Sequence, residues 1–565
     1  MKKLILFLIL NCLAIEYIIG QNSFLQKQGT ATQLVVHGMP FLILGGELGN
    51  SSAACPQDIE RIFPKLKKMG LNTVLVPVYW DLTEPVEGQF DFTLTDKALQ
   101  QARENDLKIV FLWFGAWKNS MSCYAPLWFK ENHKKYPRAY TQSGKPLEIA
   151  SAFSEAVYEA DHHAFSQWMQ HIATEGTVIM IQIENEIGML EDARDYSREA
   201  NKIFNAPVPA EFMTYLQKNK KALHPQMLKK WESQGCKKQG NWQEVFGADI
   251  YTDEIFMAWH YAKYVEGLAQ TARSIYNIPL YVNAAMNSRG RKPGEYPSAG
   301  PLAHLIDVWH CGAPSIDILA PDLYDNGFTD WVAQYKLHNN PLFIPEIRLT
   351  DNNSVRAFYI FGEHDAIGIS PFSIEDGSDS PNSPLVQSYA KLTELMPLLT
   401  KYQGKGLMKG LLFDSENKER IIADDDLTIT ARHFFTLPWD PRATNGSIWP
   451  EGGGILLKLS KNEYIVAGSG IVLEFAKTSE KQTIEKQKQL GEDGFALRND
   501  QIKTKHDKFK GMRCGIGYVD EVKVDKDGKL HYVRRLNGDQ DHQGRHVRIS
   551  VGDFKILHVQ LYEYQ

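Results

Sequence analysis

Two segments of this 565-residue chain carry residue types that can do chemistry: Ile181-Gln182-Ile183-Glu184-Asn185-Glu186 and Pro341-Leu342-Phe343-Ile344-Pro345-Glu346. Each is an apolar run ending in a carboxylate. A buried strand that stops at an acid leaves the acid at the rim of the core, where loss of water tunes its pKa. Two such acids facing each other across a cleft are the minimum machinery for breaking a glycosidic bond. Taken alone, either segment reads equally well as a strand capped by a surface glutamate, so the elements around them decide.

From Gly38 to about Pro371 short apolar runs alternate with amphipathic stretches. The expected strands are Pro40–Gly45, Thr73–Tyr79, Lys108–Phe114, Val178–Ile183, Leu280–Ala284, Asp317–Pro321, Leu342–Pro345 and Gly368–Phe372. They are continuous rather than alternating, as parallel strands buried on both faces should be. Helices are expected over Pro56–Met69, Leu94–Asn105, His162–Thr174, Asp253–Tyr276 and Ser354–His364. Eight such units predict an α/β fold, a (β/α)8 TIM barrel over residues 21–398. The alternative is an open doubly wound sheet, but no glycine-rich phosphate loop opens any of these helices. Asp192–Ile250 is longer than one crossover helix requires and is expected to roof the cleft. After about Leu399 the rhythm changes to Gly-rich turns and alternating strands, so residues 399–565 predict a β-sandwich-like accessory domain.

Composition bounds the rest. A net charge of −6 gives no case for nucleic acid, and 43% hydrophobic with 23% charged residues is an ordinary soluble balance. The 12 Trp and 24 Tyr lean towards carbohydrate, since sugar sites use aromatic faces as platforms. Lys2 and Lys3 before the apolar stretch Leu4–Leu13, with Gly20 ahead of Gln21, predict a signal peptide over residues 1–20 and export to a bacterial periplasm. Cys12 follows Leu10-Asn11, a poor lipoprotein box. Five cysteines remain after cleavage; their spacing suggests neither a disulfide framework nor zinc, and one disulfide stays open. No metal or organic cofactor is implied. The expected partner is an oligosaccharide or polysaccharide, with no membrane span.

Gly70-Leu71-Asn72-Thr73-Val74, followed by Tyr79-Trp80-Asp81-Leu82-Thr83-Glu84-Pro85-Val86-Glu87-Gly88-Gln89-Phe90-Asp91-Phe92, resembles the strand-two signature of glycoside hydrolase family 35 β-galactosidases. Asn185-Glu186 on strand four with Glu346 on strand seven is similar to the retaining glycosidases of clan A. The resemblance covers roughly residues 30–375, and the C-terminal part looks like the small β domain of a bacterial subgroup. Phe114-Gly115-Ala116-Trp117-Lys118-Asn119-Ser120-Met121 is similar to sequences at the border with family 42. Leu75-Val76-Pro77 stands where the family commonly carries a Glu-Thr-Tyr run, and Phe114–Met121 replaces its Gly-Pro-Tyr-rich loop. The reaction is therefore better defined than the sugar.

The resemblance implies Glu346 as nucleophile and Glu186 as acid/base, with Asn185 on the sugar 2-hydroxyl. Repulsion and burial should raise the pKa of Glu186. Tyr324 would donate to Glu346, or else pack at the rim. Trp117 and Asn119 offer a stacking face and a polar contact, against a core role for the tryptophan. Glu47 offers a sugar contact, against a structural salt bridge. Glu84-Pro85 and Glu184 read as structural, His162-His163 as a solvated helix start, and His310-Cys311 as unable to meet in attack geometry. Together these predict a retaining exo-β-galactosidase acting on plant or host glycans, with xyloglucan-type side chains one substrate. The alternatives are β-glucosidase or α-L-arabinopyranosidase activity, or a silent glycan-binding barrel.

Overall fold

The computed structural model describes residues 23–286, 290–337, 340–485 and 509–565. The expected signal peptide and Cys12 lie outside them. Among the described residues two compact units emerge: the first is residues 23–27, 32–349 and 367–379, and the second is residues 28–31, 350–366, 380–485 and 509–565.

The first unit holds eight parallel strands: β1 (Ile43–Leu44), β2 (Thr73–Tyr79), β3 (Lys108–Lys118), β4 (Val178–Asn185), β5 (Leu280–Ala285), β6 (Ile318–Leu323), β7 (Phe343–Ile347) and β8 (Gly368–Pro371). Their hydrogen-bonded order is β1-β8-β7-β6-β5-β4-β3-β2. The ends of that row meet: Leu75 N donates to Gly46 O at 2.9 Å, Leu48 N donates to Leu75 O at 3.1 Å, and Glu47 bridges both Leu75 and Phe372. The sheet is therefore a closed (β/α)8 barrel. The expected first strand divides in two, because Met39–Phe41 pairs with Ala31–Val36 in a separate sheet.

The helices form where their sequences cap and pattern them. Helix α1 (Pro56–Lys68) starts on a proline and buries Ile59, Ile62, Phe63 and Leu66, one face at helical spacing. Helix α2 spans Thr93–Glu104. Helix α3 (Glu155–Ile172) is capped by Ser154, which accepts from Val157 N; it starts earlier than predicted, so His162 and His163 sit mid-helix. The Asp192–Ile250 stretch forms α4 (Arg198–Phe204), α5 (Ala210–Asn219), α6 (Pro225–Glu232) and α7 (Trp242–Phe246). Helix α8 (Ile250–Ile275) follows, capped by Asp249. Helices α9 (Ile306–Gly312), α10 (Phe328–Gln334), α11 (Asn353–His364) and α12 (Pro384–Tyr402) complete the series.

No residue of helices α4–α7 lines the cavity at the barrel mouth. They pack sideways: Phe212 stacks on Trp259 at 5.2 Å, and His224 N donates to Asp307 Oδ2 at 2.8 Å. Their apolar faces have α8 and α9 as partners, which satisfies them away from the cleft.

The second unit is a β sandwich. One sheet contains β9 (Met408–Phe413), β12 (Gly452–Ser460), β13 (Glu463–Ser469), β15 (Arg513–Val524), β16 (Leu530–Leu536) and β18 (Lys555–Tyr564). The other contains β10 (Glu419–Asp424), β11 (Leu427–His433), β14 (Ile471–Lys477) and β17 (Val547–Ile549). Leu411, Val466, Leu557 and Val559 of the first meet Ile429, Ile471, Leu473 and Ile549 of the second in one core. Helices α11 and α12 group with these sheets rather than with the first unit, which moves the boundary ahead of the expected 398/399.

Candidate active site

The C-terminal ends of the barrel strands converge on a cavity of about 380 Å³ lined by Lys118, Asn119, Glu186, Asp322, Tyr324 and Glu346, among others. One carboxylate oxygen from each of Glu186, Asp322 and Glu346 lies within 4.8 Å of the other two. Glu346 and Asp322 are register partners on β7 and β6. The two acids singled out in the sequence thus share one mouth.

Backbone shape aims them. Glu184 and Glu186 have left-handed φ values of 58° and 46°, unusual for residues with side chains. These kinks reset the strand's alternation at its last residues. Glu184 turns towards the outer layer, where its Oε2 accepts from Trp117 N at 2.8 Å, and it is structural as expected. Glu186 N donates to Asn283 Oδ1 at 3.0 Å, and Asn283 Nδ2 donates to Asp322 Oδ2 at 2.6 Å, so one amide ties β4, β5 and β6 together. Asn119 and Ser120 are also left-handed, and their N–H groups donate to Asn185 O (3.2 Å) and Glu186 O (3.1 Å), pinning the β3 turn against the end of β4.

The side chains form one polar network. Asn119 Nδ2 donates to Glu186 Oε2, and the Tyr324 hydroxyl donates to Glu346 Oε1. Lys118, buried beneath the cavity, donates from Nζ to Asn185 Oδ1 at 2.9 Å. That contact fixes the amide flip and leaves Asn185 Nδ2 as a donor with no protein partner among the described residues. Glu47 is fully buried beside Glu346, and no donor reaches either of its carboxylate oxygens among the described residues. One oxygen each of Asp322 and Glu346 is in the same position. Buried polar atoms are normally paired, so a cluster of unpaired ones around a cavity marks where hydroxyl groups of a ligand would fit.

Electrostatics separates the acids. Burial first, then the Glu346 carboxylate, pushes Glu186 up to about 7, against the pull of Lys118 and Asn119. Burial, then Glu346, raises Glu47 well above the carboxylate range, and burial with Glu346, Glu186 and Glu47 does the same to Asp322. Burial lowers Lys118, but the carboxylates of Glu346, Glu186, Glu47 and Asp322 outweigh it and hold the ammonium above the ordinary lysine value. Burial and Glu346 push the Tyr324 hydroxyl up, so it stays a donor. The three clustered carboxylates are close enough to share a divalent cation, but Lys118 already supplies a cation, and Asn119, Asn283 and Tyr324 supply donors.

Trp117 is corrected. Its ring is fully buried and packs edge-on against Tyr261 at 5.4 Å and Tyr264 at 4.8 Å of α8, so it offers no face to the cavity. Strand β3 runs on to Lys118, and alternation sends Trp117 outward and Lys118 inward. Lys118, Asp322 and Asn283 were passed over in the sequence, although each is a polar residue at the end of an apolar barrel strand, the same signal that found Glu186. Glu84 accepts from Trp80 Nε1 (2.9 Å) and Gly88 N (2.8 Å), which makes it loop structure. All five cysteines among the described residues are free, and burial raises Cys311 to about 11, so it carries no thiolate beside His310.

Residues 33–249 match the sequence profile of glycosyl hydrolases family 35, and residues 385–548 match a domain of unknown function (DUF5597). A β-galactosidase of Xanthomonas manihotis is 26% identical over 184 residues, which is 31% of this chain and 28% of that protein. The match therefore spans less than a third of the relative's length. Among solved structures, a β-galactosidase from the psychrophilic Marinomonas ef1 aligns with TM-score 0.43 and 13% identity over 63% of this chain and 60% of its own. One from the haloarchaeon Halorubrum lacusprofundi aligns with TM-score 0.43 and 15% identity over 62% and 58%. Over residues 33–249, the barrel unit of this chain is similar to glycosyl hydrolases family 35.

Proposed function

We propose that the chain is a retaining exo-β-galactosidase that removes terminal galactose from plant or host glycans. The observation that carries this reading is the approach of Glu186 and Glu346 oxygens to within 4.8 Å across one cavity. Retaining glycosidases hold their carboxyl groups about 5–5.5 Å apart, whereas inverting ones leave about 6.5–9.5 Å for a water. Glu346 attacks the anomeric carbon with Tyr324 holding its other oxygen. Glu186, protonated near neutrality, gives its proton to the leaving oxygen and then takes one from water. Asn185 Nδ2, oriented by Lys118, donates to the 2-hydroxyl as positive charge develops on the ring.

The exo mode is supported by the cavity's size, near the small end of the about 300–1,000 Å³ typical of ligand pockets. Asp322, Lys118, Asn119 and Tyr324 offer the dense polar lining that a sugar's hydroxyls require. Export to a periplasm is part of the proposal and rests on the N-terminal sequence pattern of Lys2, Lys3 and Leu4–Leu13; cell fractionation checks it.

The testing experiment is hydrolysis of an aryl glycoside panel, with proton NMR of the first sugar anomer released. β-Galactose appearing first, with glucosides and arabinosides at least about a hundredfold poorer, is expected, because an unpaired polar group discriminates strongly between epimers. α-Galactose first would make the enzyme inverting. Comparable kcat/KM on glucosides would replace the galactose reading by a broader one, and no turnover of any glycoside would leave the silent binding barrel.

A further inference from the structure

The second unit has a cavity of about 580 Å³ whose walls include Tyr562, Tyr564, Gly515, Thr430, Glu474 and His546. Tyr562 and Tyr564 stand two residues apart on β18, hence on one face of the sheet. They are 49% and 44% exposed, and their ring centroids lie 5.5 Å apart at 30°. Tyr562 is register partner of Gly515 on β15. A Cβ at Gly515 would lie 2.6 Å from Tyr562 Cε1 and 2.7 Å from Cζ, and one at Gly517 would lie 3.6 Å from Cδ1. Gly515 does not have a left-handed φ, so backbone freedom does not explain it. Its missing side chain is what lets the tyrosine ring lie down on the neighbouring strand with its other side towards solvent.

The polar wall is built as well. His546 is only 2% exposed; its Nε2 meets Glu474 at 3.1 Å, and its Nδ1 is buried without a hydrogen-bond partner. Burial raises Glu474, but His546 and Arg432 outweigh it and hold the carboxyl below its ordinary range, so it is a charged acceptor.

We propose that this face binds a neutral glycan, with a pyranose ring stacked on Tyr562 and Tyr564 and its hydroxyls reaching Glu474 and His546. An aromatic floor with hydroxyl-pairing groups at its edge suits the two sides of a sugar, apolar C–H and polar O–H. The acids Glu474 and Glu480 in this wall are balanced by Lys481 and Arg545, so the lining has no excess of either charge and suits a neutral ligand. The inference takes its probes from the proposed activity but does not require the barrel to be active.

The test is affinity electrophoresis of the full chain carrying Glu346→Gln, which prevents turnover, in gels cast with xyloglucan, galactan or polygalacturonate. Retardation by at least one neutral polysaccharide is expected, and Tyr562→Ala should weaken it at least about tenfold while Tyr562→Phe, which keeps the ring, retains it. Glu474→Gln tests the polar wall should Tyr562→Ala melt early, and it should also weaken retardation. In the otherwise wild-type chain, Tyr562→Ala should leave turnover of a small aryl galactoside unchanged, so failure of the barrel reading is seen separately. Equal retardation of the Tyr562→Ala and parent chains, no retardation by either neutral polymer, or retardation by polygalacturonate alone overturns the proposal.

Discussion

Replacing Lys118 by methionine removes one positive charge while keeping most of the side chain's volume. The ammonium sits beside Glu346, Glu186, Glu47 and Asp322 and donates to Asn185 Oδ1 at 2.9 Å. Its charge favours the ionised form of Glu186, so its loss must raise the Glu186 pKa from about 7. An opposite charge within about 4–6 Å is worth roughly 1–3 pKa units, which places the alkaline limb of kcat/KM at roughly 8–10 in the variant. The limb moves this way because Glu186 must hold a proton to act as acid, and the variant holds it to higher pH. Activity at the optimum should fall as well, by roughly tenfold or more, because the Asn185 amide is no longer held in one orientation. The assay is kcat/KM on phenyl β-galactoside across pH 4.5–9.5, a substrate whose leaving oxygen needs protonation. A variant of lower activity with an unmoved alkaline limb would make Lys118 a structural residue only. A limb that moved down would refute the electrostatic account.

Glu186→Ala should lose activity mainly on poor leaving groups, and azide should restore turnover as a β-galactosyl azide; equal loss on activated and unactivated aryl galactosides without azide product would count against its role. Glu47 has a folded pKa raised far above its unfolded value of about 4.3, so the folded state binds the extra proton and stability falls as pH rises above that value. Glu47→Gln should therefore gain Tm relative to the wild type as pH goes from 5 to 8 while losing activity, and a Tm difference independent of pH would contradict this. Tyr324→Phe should cut kcat roughly tenfold to a hundredfold by removing the donor to Glu346; unchanged kcat would reduce Tyr324 to rim packing.

The barrel was legible because its strands are short, apolar and bounded: Thr73–Tyr79 falls on its predicted limits, the helix expected from Pro56 starts there, and the one expected from Asp253 starts three residues earlier, at Ile250. The two acids were legible for the same reason, since each ends such a run. The surrounding site was less so. Trp117 and Lys118 exchange roles because β3 extends beyond Phe114, and a single residue of parity decides which side chain faces the cavity. No propensity announces the left-handed turns at Glu184, Glu186 and Asn119, which break the parity that sequence reading relies on. The insertion was misplaced because length predicts a loop's existence but not the surface it covers. Its apolar residues chose α8 and α9.

The central claim is that Glu346 forms a covalent bond to galactose while Glu186 handles the proton. It is tested most directly by incubation with 2,4-dinitrophenyl 2-deoxy-2-fluoro-β-galactoside, whose fluorine slows breakdown of the glycosyl-enzyme, followed by peptide mass spectrometry. The account predicts stoichiometric inactivation with the fluorosugar on the peptide containing Glu346, and reactivation on dilution. A label on another carboxylate, or an active enzyme that is never labelled, would contradict it.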